Sequence, residues 1–148
     1  MVTESIIRLE YLCRIIPPLL LKIKEVDFSH KPAPGKWSIK ETLGHLIDSA
    51  TNNHHRFVSA QFEDKPLITY NADDWVAASH YQTMSSVHMI SFWHLYNHHI
   101  AELIKQLPVD VLNRECNSGD ESPHTLAWLF DDYVVHLEHH LREMVEYD

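Results

Sequence analysis

The chain has 148 residues, of which 45% are hydrophobic and 22% charged, and its formal net charge at pH 7 is −9. This length and composition predict one globular domain over residues 1–148 with its own hydrophobic core, and they argue against a disordered or low-complexity chain. The acidic excess argues against nucleic acid or an anionic membrane surface as a partner, because phosphate binding requires concentrated lysine and arginine.

The sparse cysteines and glycines narrow the class of protein further. Cys13 and Cys116 are far apart and form no CxxC motif, so we expect free thiols in a reducing cytoplasmic compartment. The apolar run IIPPLLL is too short and too rich in proline to span a bilayer, and we expect no export signal. With only 3 glycines, the chain favours helices over a β protein with many turns.

The first half of the chain contains two long amphipathic helices, as judged from the spacing of apolar residues. The first is predicted over residues 3–26, and we expect Pro17 and Pro18 to kink or split it. The second begins at Ser38 in a capping-box pattern and continues to about residue 63. Its predicted apolar stripe contains Leu43, Leu46, Ile47, Ala50, Phe57 and Val58.

The second half begins with the segment KPLITYNADDWVAASHYQ, which is long for a connection and is therefore typical of a functional crossover. Asn71 is placed to cap a short helix within it. The third long helix is predicted over residues 85–107, and the fourth from Ser122, with Pro123 at its first helical position, to about residue 147. These elements predict an all-α four-helix bundle with a long crossover between helices two and three.

Two histidines interrupt the apolar face of the fourth helix. His136 and His140 lie four residues apart at the edge of the stripe that contains Leu129 and Tyr133, so their side chains project together, whereas His139 points to one side. HxxxH on a helix allows two imidazoles to bind one metal ion. The alternative is a pair that forms hydrogen bonds inside a polar pocket or lies at a solvated margin, and a third ligand would decide between these interpretations.

Candidates for a third ligand lie on the second and third helices. His45 belongs to a polar strip of helix two that contains no lysine, so this strip need not face bulk water. The other members of the strip are Ser38, Glu41, Asp48, Asn52 and Arg56. The candidates on helix three are His88, His94, His98 and His99. Helical periodicity alone does not choose among these histidines.

The segment PGKWSIKETLGHLIDSATNNHHRF, residues 34–57, resembles the second-helix signature of the DinB-like superfamily. That signature has Trp-Ser or Trp-Thr at the start of the helix, then a histidine, then an aspartate three residues later. The resemblance continues through TYNADDW into VVHLEHHLREM and so covers nearly the whole chain. It is strongest to the branch that contains bacillithiol S-transferases and proteins described as metal-dependent hydrolases.

The resemblance implies a DinB-like four-helix bundle that binds one divalent ion, commonly nickel or zinc, through three histidines on helices two and four. The corresponding residues are His45, His136 and His140. The resemblance also implies a homodimer that acts on a small-molecule substrate. The family often has an arginine on helix three, but this chain reads NHHIAE there, so no substrate contact carries over to that helix.

The expected chemistry follows from the three-histidine set. Neutral imidazoles leave a divalent ion with its full charge and at least one open coordination position, which is typical of a catalytic site. The resemblance implies thiol S-transferase activity of the bacillithiol type, with a low-molecular-weight thiol as co-substrate that attacks an electrophile. The alternatives are hydrolysis by activated water and a bundle that binds metal or ligand without turnover.

Further residues of the polar strip complete the predicted site. Asp48 lies one turn beyond His45, and we expect it to orient that imidazole or to act as a catalytic base. Asn52 and Arg56 are predicted substrate contacts, with Arg56 binding a carboxylate. The alternative for Arg56 is an ion pair within the protein.

Two carboxylates and three tryptophans are predicted to have more ordinary roles. Asp132 and Glu143 flank the histidine pair, where they are either surface carboxylates or additional partners of the ligand imidazoles. We expect Trp37, Trp75 and Trp128 to serve packing rather than substrate binding.

Overall fold

The computed structural model describes residues 1–148 and contains seven α-helices and one small sheet. The four long helices are α1 (Val2–Leu21), α3 (Ile39–Ser59), α5 (Ser86–Lys105) and α7 (Leu126–Met144). The three short helices are α2 (Glu25–Phe28), α4 (Ala72–Ser79) and α6 (Val109–Leu112). The strands β1 (Glu115–Cys116) and β2 (His124–Thr125) pair antiparallel before α7.

The long helices form a four-helix bundle in which α1 and α3 each pack against both α5 and α7. The order around the bundle is therefore α1, α5, α3, α7, which places the first two long helices at opposite corners. This architecture confirms the predicted all-α bundle. Aliphatic side chains from all four helices fill the core together with aromatic residues, the largest of which are Trp93, Phe28, Phe57 and Phe130. None of the helices is long and apolar enough to cross a membrane.

A long crossover connects α3 to α5, as the sequence predicts. Asn71 caps α4, because its Oδ1 accepts a hydrogen bond of 2.9 Å from the backbone N–H of Asp74. A 3-10 turn at Tyr81–Thr83 follows α4, and both elements pack against α3. The crossover therefore covers one side of the helix that carries the polar strip.

Helix α3 begins at the predicted capping box. The hydroxyl of Ser38 accepts a hydrogen bond from the backbone N–H of Glu41, and the Glu41 carboxylate accepts one from the backbone N–H of Ser38, each 3.1 Å long. The helix ends at Ser59 rather than near residue 63. The prediction that Val58 faces the core is wrong, since its side chain is exposed. Val58 lies about 100° around the helix from the buried Phe57, at the margin of the buried stripe.

The predicted start of the last helix is also wrong. Ser122 and Pro123 precede the helix, which begins at Leu126. Thr125 is the cap, and its hydroxyl accepts a hydrogen bond of 3.1 Å from the backbone N–H of Trp128. The helix does not begin earlier because β2 pairs in extended conformation with β1.

The first helix differs from its prediction in a similar way. Pro17 and Pro18 do not split α1, which continues unbroken to Leu21. Each proline removes one backbone hydrogen bond, but the Cys13 carbonyl oxygen that Pro17 leaves free lies 2.7 Å from Nδ1 of His94. The buried Ile16 and Leu20 hold this turn against the core. The residues predicted to extend the helix form a turn and the start of α2.

Candidate metal centre

Three histidines meet between α3 and α7. His45 comes from α3, and His136 and His140 come from successive turns of α7. Nε2 of His136 lies 3.4 Å from Nε2 of His45 and 3.2 Å from Nε2 of His140. In a tetrahedral site with metal–nitrogen bonds of about 2.0–2.1 Å, the ligand nitrogens are roughly 3.3–3.4 Å apart. The two measured separations therefore suit one ion bound through the Nε2 atoms.

The charge state of these imidazoles also suits metal binding. Burial, followed by repulsion from the neighbouring histidines, lowers the pKa of His45 to about 4 and that of His136 to about 4. Both rings therefore keep a free lone pair at neutral pH. The Nε2 atom of His136 lies within hydrogen-bond distance of the Nε2 atoms of both His45 and His140. A cation at the centre would replace these contacts with three metal–nitrogen bonds, so the donor set fits a divalent ion.

The histidines of α5 lie elsewhere. Nδ1 of His94 is 2.7 Å from the backbone carbonyl oxygen of Cys13. The ring of His99 packs against the ring of His54 with centroids 5.4 Å apart. No other group of three histidine, cysteine or carboxylate side chains comes as close together as His45 and the α7 pair. The structure thus groups His45, rather than a histidine of α5, with His136 and His140.

The outer nitrogens of the ligand rings have few protein partners. Nδ1 of His45 is buried without a hydrogen-bond partner, and Trp37 packs against this imidazole with ring centroids 4.9 Å apart. Oε2 of Glu143 lies 3.4 Å from Nδ1 of His140. Nδ1 of His140 nevertheless has no hydrogen-bond partner, so the role of Glu143 as a partner that orients this imidazole stays a prediction.

Asp48 contacts the crossover instead of His45. The Tyr81 hydroxyl donates a hydrogen bond of 2.5 Å to Oδ1 of Asp48, and the buried Oδ2 has no partner. Burial raises the pKa of Asp48 to about 6, although the hydrogen bond from Tyr81 lowers it. Gly44 makes this approach possible, because a Cβ atom there would lie 2.1 Å from the Tyr81 ring. The predicted hydrogen bond from His45 to Asp48 is absent, and the role of Asp48 as a base stays a prediction.

Two openings flank the three histidines. The first, which we call the polar cavity, has a volume of about 210 Å³ and lies beside His136. Its polar lining includes Ser49, Asn53 and Arg56 of α3, Tyr70 and Asp120 of the connecting segments, and Asp132 of α7. The second, which we call the tryptophan cleft, has a volume of about 340 Å³ and lies beside His140, with Trp37 and Glu143 in its lining.

Of the two predicted substrate contacts, Arg56 lines the polar cavity and Asn52 does not. The Nε and Nη2 atoms of Arg56 donate to the carbonyl oxygen of Ile68 at 3.0 and 2.9 Å, and Nη1 donates to Oδ1 of Asn53 at 3.1 Å. Arg56 forms none of the ion pairs in the structure, so the alternative of a salt bridge is not observed. The Asn52 amide donates to the carbonyl oxygen of Asp48 on its own helix at 2.9 Å.

Sequence reasoning missed several residues around the site. Asn53 follows Ser49 by four residues, and Arg56 follows Asn53 by three. Helical periodicity would therefore have placed all three side chains on one face of α3. Tyr81 has no comparable signal, because its contact with Asp48 depends on the path of the crossover.

Comparisons with known proteins agree with this fold and site. The model of the DinB superfamily matches residues 13–144. A protein of Bacillus cereus (strain AH820) named "Putative metal-dependent hydrolase" is 25% identical over 122 residues, which are 80% of this chain and 70% of that protein. A protein of Bacillus mycoides (strain KBAB4) with the same description has the same identity and coverage. The solved structure of YfiT from Bacillus subtilis, described as "a probable metal-dependent hydrolase with an unusual four-helix bundle topology", has a TM-score of 0.85, covers 95% of this chain and 81% of its own, and is 20% identical.

Proposed function

This chain belongs to the DinB superfamily, and on that basis we propose that it is a divalent-metal-dependent hydrolase of small polar molecules. The observation that carries the proposal is the convergence of three imidazoles, with two Nε2 separations of 3.4 and 3.2 Å around a common centre. The names of its relatives from Bacillus support hydrolysis as the reaction class.

The donor set determines which metals are suitable. His45, His136 and His140 provide nitrogen ligands only, and imidazole suits several divalent transition metals, including the nickel and zinc implied by the family resemblance. An ion held by these residues would supply a Lewis acid and lower the pKa of a water molecule at its open position. The protein's own contribution is to hold the three rings together and to lower the pKa of His45 and of His136 by burial.

Proton transfer and substrate binding fall to neighbouring residues in this proposal. Asp48 is buried, keeps Oδ2 without a partner and has a pKa raised to about 6, so it is suited to accept a proton near neutral pH. Arg56 and the polar cavity next to His136 would bind the substrate. Asn52 holds the α3 backbone in this structure, and its contact with substrate stays a prediction.

Thiol S-transfer is the second candidate, and one observation favours it. The polar cavity lies beside His136 and the tryptophan cleft lies beside His140, so the three histidines have two separate approaches. A transferase needs room for two reactants, namely a thiol and an electrophile, whereas a hydrolase needs room for one reactant and water. Metal binding would lower the pKa of the thiol and so favour the reactive thiolate.

Purified protein reconstituted with zinc, nickel or cobalt would distinguish these proposals. Hydrolysis of ester and amide substrates without added thiol supports the hydrolase, provided that the His136→Ala variant loses this activity. Consumption of an epoxide or activated halide only when thiol is present supports the transferase. Metal binding without either reaction would contradict both enzymatic proposals and leave a binding protein.

The homodimer implied by the family resemblance is a separate proposal. Sedimentation equilibrium would test it directly, because one chain has a mass of 17.3 kDa. A particle with twice that mass at micromolar concentration supports the dimer, and a particle with the mass of one chain contradicts it.

A further inference from the structure

The polar cavity contains charged groups of both signs that the metal-binding histidines do not explain. We propose that it is a substrate site for small molecules that carry both a carboxylate and an ammonium group, as amino acids and their simple derivatives do. The inference rests on the proposed metal-dependent function, because His136 belongs both to the cavity lining and to the three-histidine centre.

Arg56 provides the binding group for the carboxylate. Its side chain is only 8% exposed. Three of its donor contacts are accounted for by Ile68 and Asn53. A guanidinium carries five N–H groups, so two remain without a protein acceptor. A buried positive charge is costly unless it is paired, and a guanidinium binds a carboxylate through two parallel hydrogen bonds. The unused capacity of Arg56 therefore matches a carboxylate in the cavity.

Asp120 and Asp132 provide the binding group for the ammonium. Both are exposed at the edge of the same cavity, and neither forms an ion pair with a lysine or arginine. Asp120 contacts His124 at 3.1 Å, and Asp132 has no hydrogen-bond partner in the protein. Burial raises the pKa of Asp132 and repulsion from Asp120 raises it further, while attraction to His124 and Arg56 lowers it. The two carboxylates are therefore close enough to repel each other, and both lie in the same cavity as Arg56. An ammonium group between them would relieve this repulsion.

The dimensions and chemistry of the cavity limit the size of the bound group. A volume of about 210 Å³ is smaller than a typical drug-sized site of roughly 300–1,000 Å³, so it suits a group about as large as an amino acid. The hydroxyl of Tyr70 and the side chains of Ser49 and Asn53 supply further polar contacts. The pair of aspartates disfavours a phosphate dianion, because it would add two negative charges to the cavity without an ammonium group to offset them.

A thiol series bound to the cobalt-substituted protein tests this inference without requiring turnover. Cysteine and homocysteine carry both charged groups at two lengths, 3-mercaptopropionate carries only the carboxylate, cysteamine only the ammonium, and 2-mercaptoethanol neither. The sulfur-to-cobalt absorption band reports binding of each. We expect the better of the two amino acids to bind at least tenfold more tightly than 2-mercaptoethanol, with the two singly charged thiols between them.

Variants assign each charged group to its residue. Asp132→Asn removes a negative charge from a side chain that has no hydrogen bonds within the protein. We expect this variant to bind cysteine and cysteamine about tenfold more weakly and to bind 3-mercaptopropionate with unchanged affinity. Arg56→Lys should weaken the binding of the thiols that carry a carboxylate, namely the two amino acids and 3-mercaptopropionate. The melting temperature of this variant checks that it is folded. Asp110→Asn, an exposed carboxylate on α6 outside the cavity, is the matched control and should change nothing.

The possible outcomes separate this inference from the proposed function. A protein that binds no cobalt through its three histidines overturns the proposed function. A protein that binds cobalt but has equal affinity for all five thiols, or binds none of them, overturns only the substrate site. Loss of cysteine affinity in Asp110→Asn equal to that in Asp132→Asn would also overturn it, because the effect would then reflect the net charge of the protein.

Discussion

Helices α1 and α3 occupy opposite corners of the bundle and bury very different side chains. The buried residues of α1 are Leu9, Leu12, Cys13, Ile16 and Leu20. Nine of the ten buried polar or charged residues of the protein, by contrast, lie on α3 or at its cap. Both helices contact the same two neighbours, α5 and α7. One bundle therefore contains an apolar corner and a polar corner of similar length.

This difference separates the part of the bundle that stabilises the fold from the part that holds the site. Burying an apolar side chain contributes about 1.5–3 kcal/mol to stability, whereas a buried polar group without a partner costs roughly 1–3 kcal/mol. The α3 corner contains such groups, namely Nδ1 of His45 and Oδ2 of Asp48. We infer that α1 supplies stability for the fold, and that α3 retains costly side chains because the site requires them.

The largest expected effect is the loss of metal from the polar corner. Replacement of His136 or His140 by alanine leaves at most two protein ligands, so we expect the purified variants to lose the single bound ion, as measured by elemental analysis. His139→Ala is the matched control, since His139 lies on the same helix with an exposed side chain. Wild-type metal content in both the His136 and the His140 variant would contradict the assignment of the metal site to the polar corner.

The apolar corner should respond with a loss of stability and no loss of metal. Leu12 is fully buried, so Leu12→Ala should lower the free energy of unfolding by about 2–5 kcal/mol. The metal content of the folded fraction should stay that of the wild type. Chemical denaturation measures the free energy of unfolding. The control Ile7→Ala, at an exposed position on the same helix, should change this free energy little. If Leu12→Ala removes the ion from folded protein, the two corners are not independent.

The polar corner should also make the stability of the metal-free protein depend on pH. The folded protein holds the pKa of His45 and of His136 at about 4, below the ordinary histidine value of 6.5. Between these pH values the unfolded chain binds more protons than the folded one. The free energy of unfolding should therefore fall as pH decreases from about 6.5 to about 4. Denaturation at several pH values measures this slope, which should be smaller in His136→Ala. An unchanged slope in that variant would contradict the assignment.

Asp48 should have the opposite and weaker effect on how the stability of the metal-free protein depends on pH. Its folded-state pKa is raised to about 6 from the ordinary aspartate value of 3.8, so the folded protein is destabilised by the charged carboxylate above pH 6. Metal-free Asp48→Asn should be more stable than the wild type at pH 7.5 by about 1–2 kcal/mol, and this difference should disappear as pH falls towards 4. A variant less stable than the wild type at pH 7.5 would show that Asp48 is stabilised by a partner as an anion.

The features that sequence predicts well depend on residues close together in the chain. The cap formed by Ser38 and Glu41, the Asn71 cap of α4 and the pairing of His136 with His140 all follow from spacings of three or four residues. The early start assigned to the last helix is wrong because it relied on a local signal, whereas pairing between β1 and β2 delays the helix.

The remaining features depend on contacts that no local pattern contains. His45 lies on a polar strip that is indistinguishable in sequence from a solvated helix face. Only the family resemblance chose it, and only the folded structure shows the strip to be buried. Tyr81 reaches Asp48 across 33 positions of sequence. The polar cavity combines residues from α3, α7 and two connections, so its charge pattern becomes visible only when the bundle is assembled.

The sequence distance between the ligands has a consequence for biosynthesis. His45 and His136 are separated by 91 positions, and α7 leaves the ribosome after α1, α3 and α5. A nascent chain that has already released α1, α3 and α5 still lacks two of the three imidazoles, so it cannot capture the ion. Metal loading therefore follows completion of the bundle, and a truncated product that lacks α7 would be distinguishable from the finished protein by its inability to retain metal.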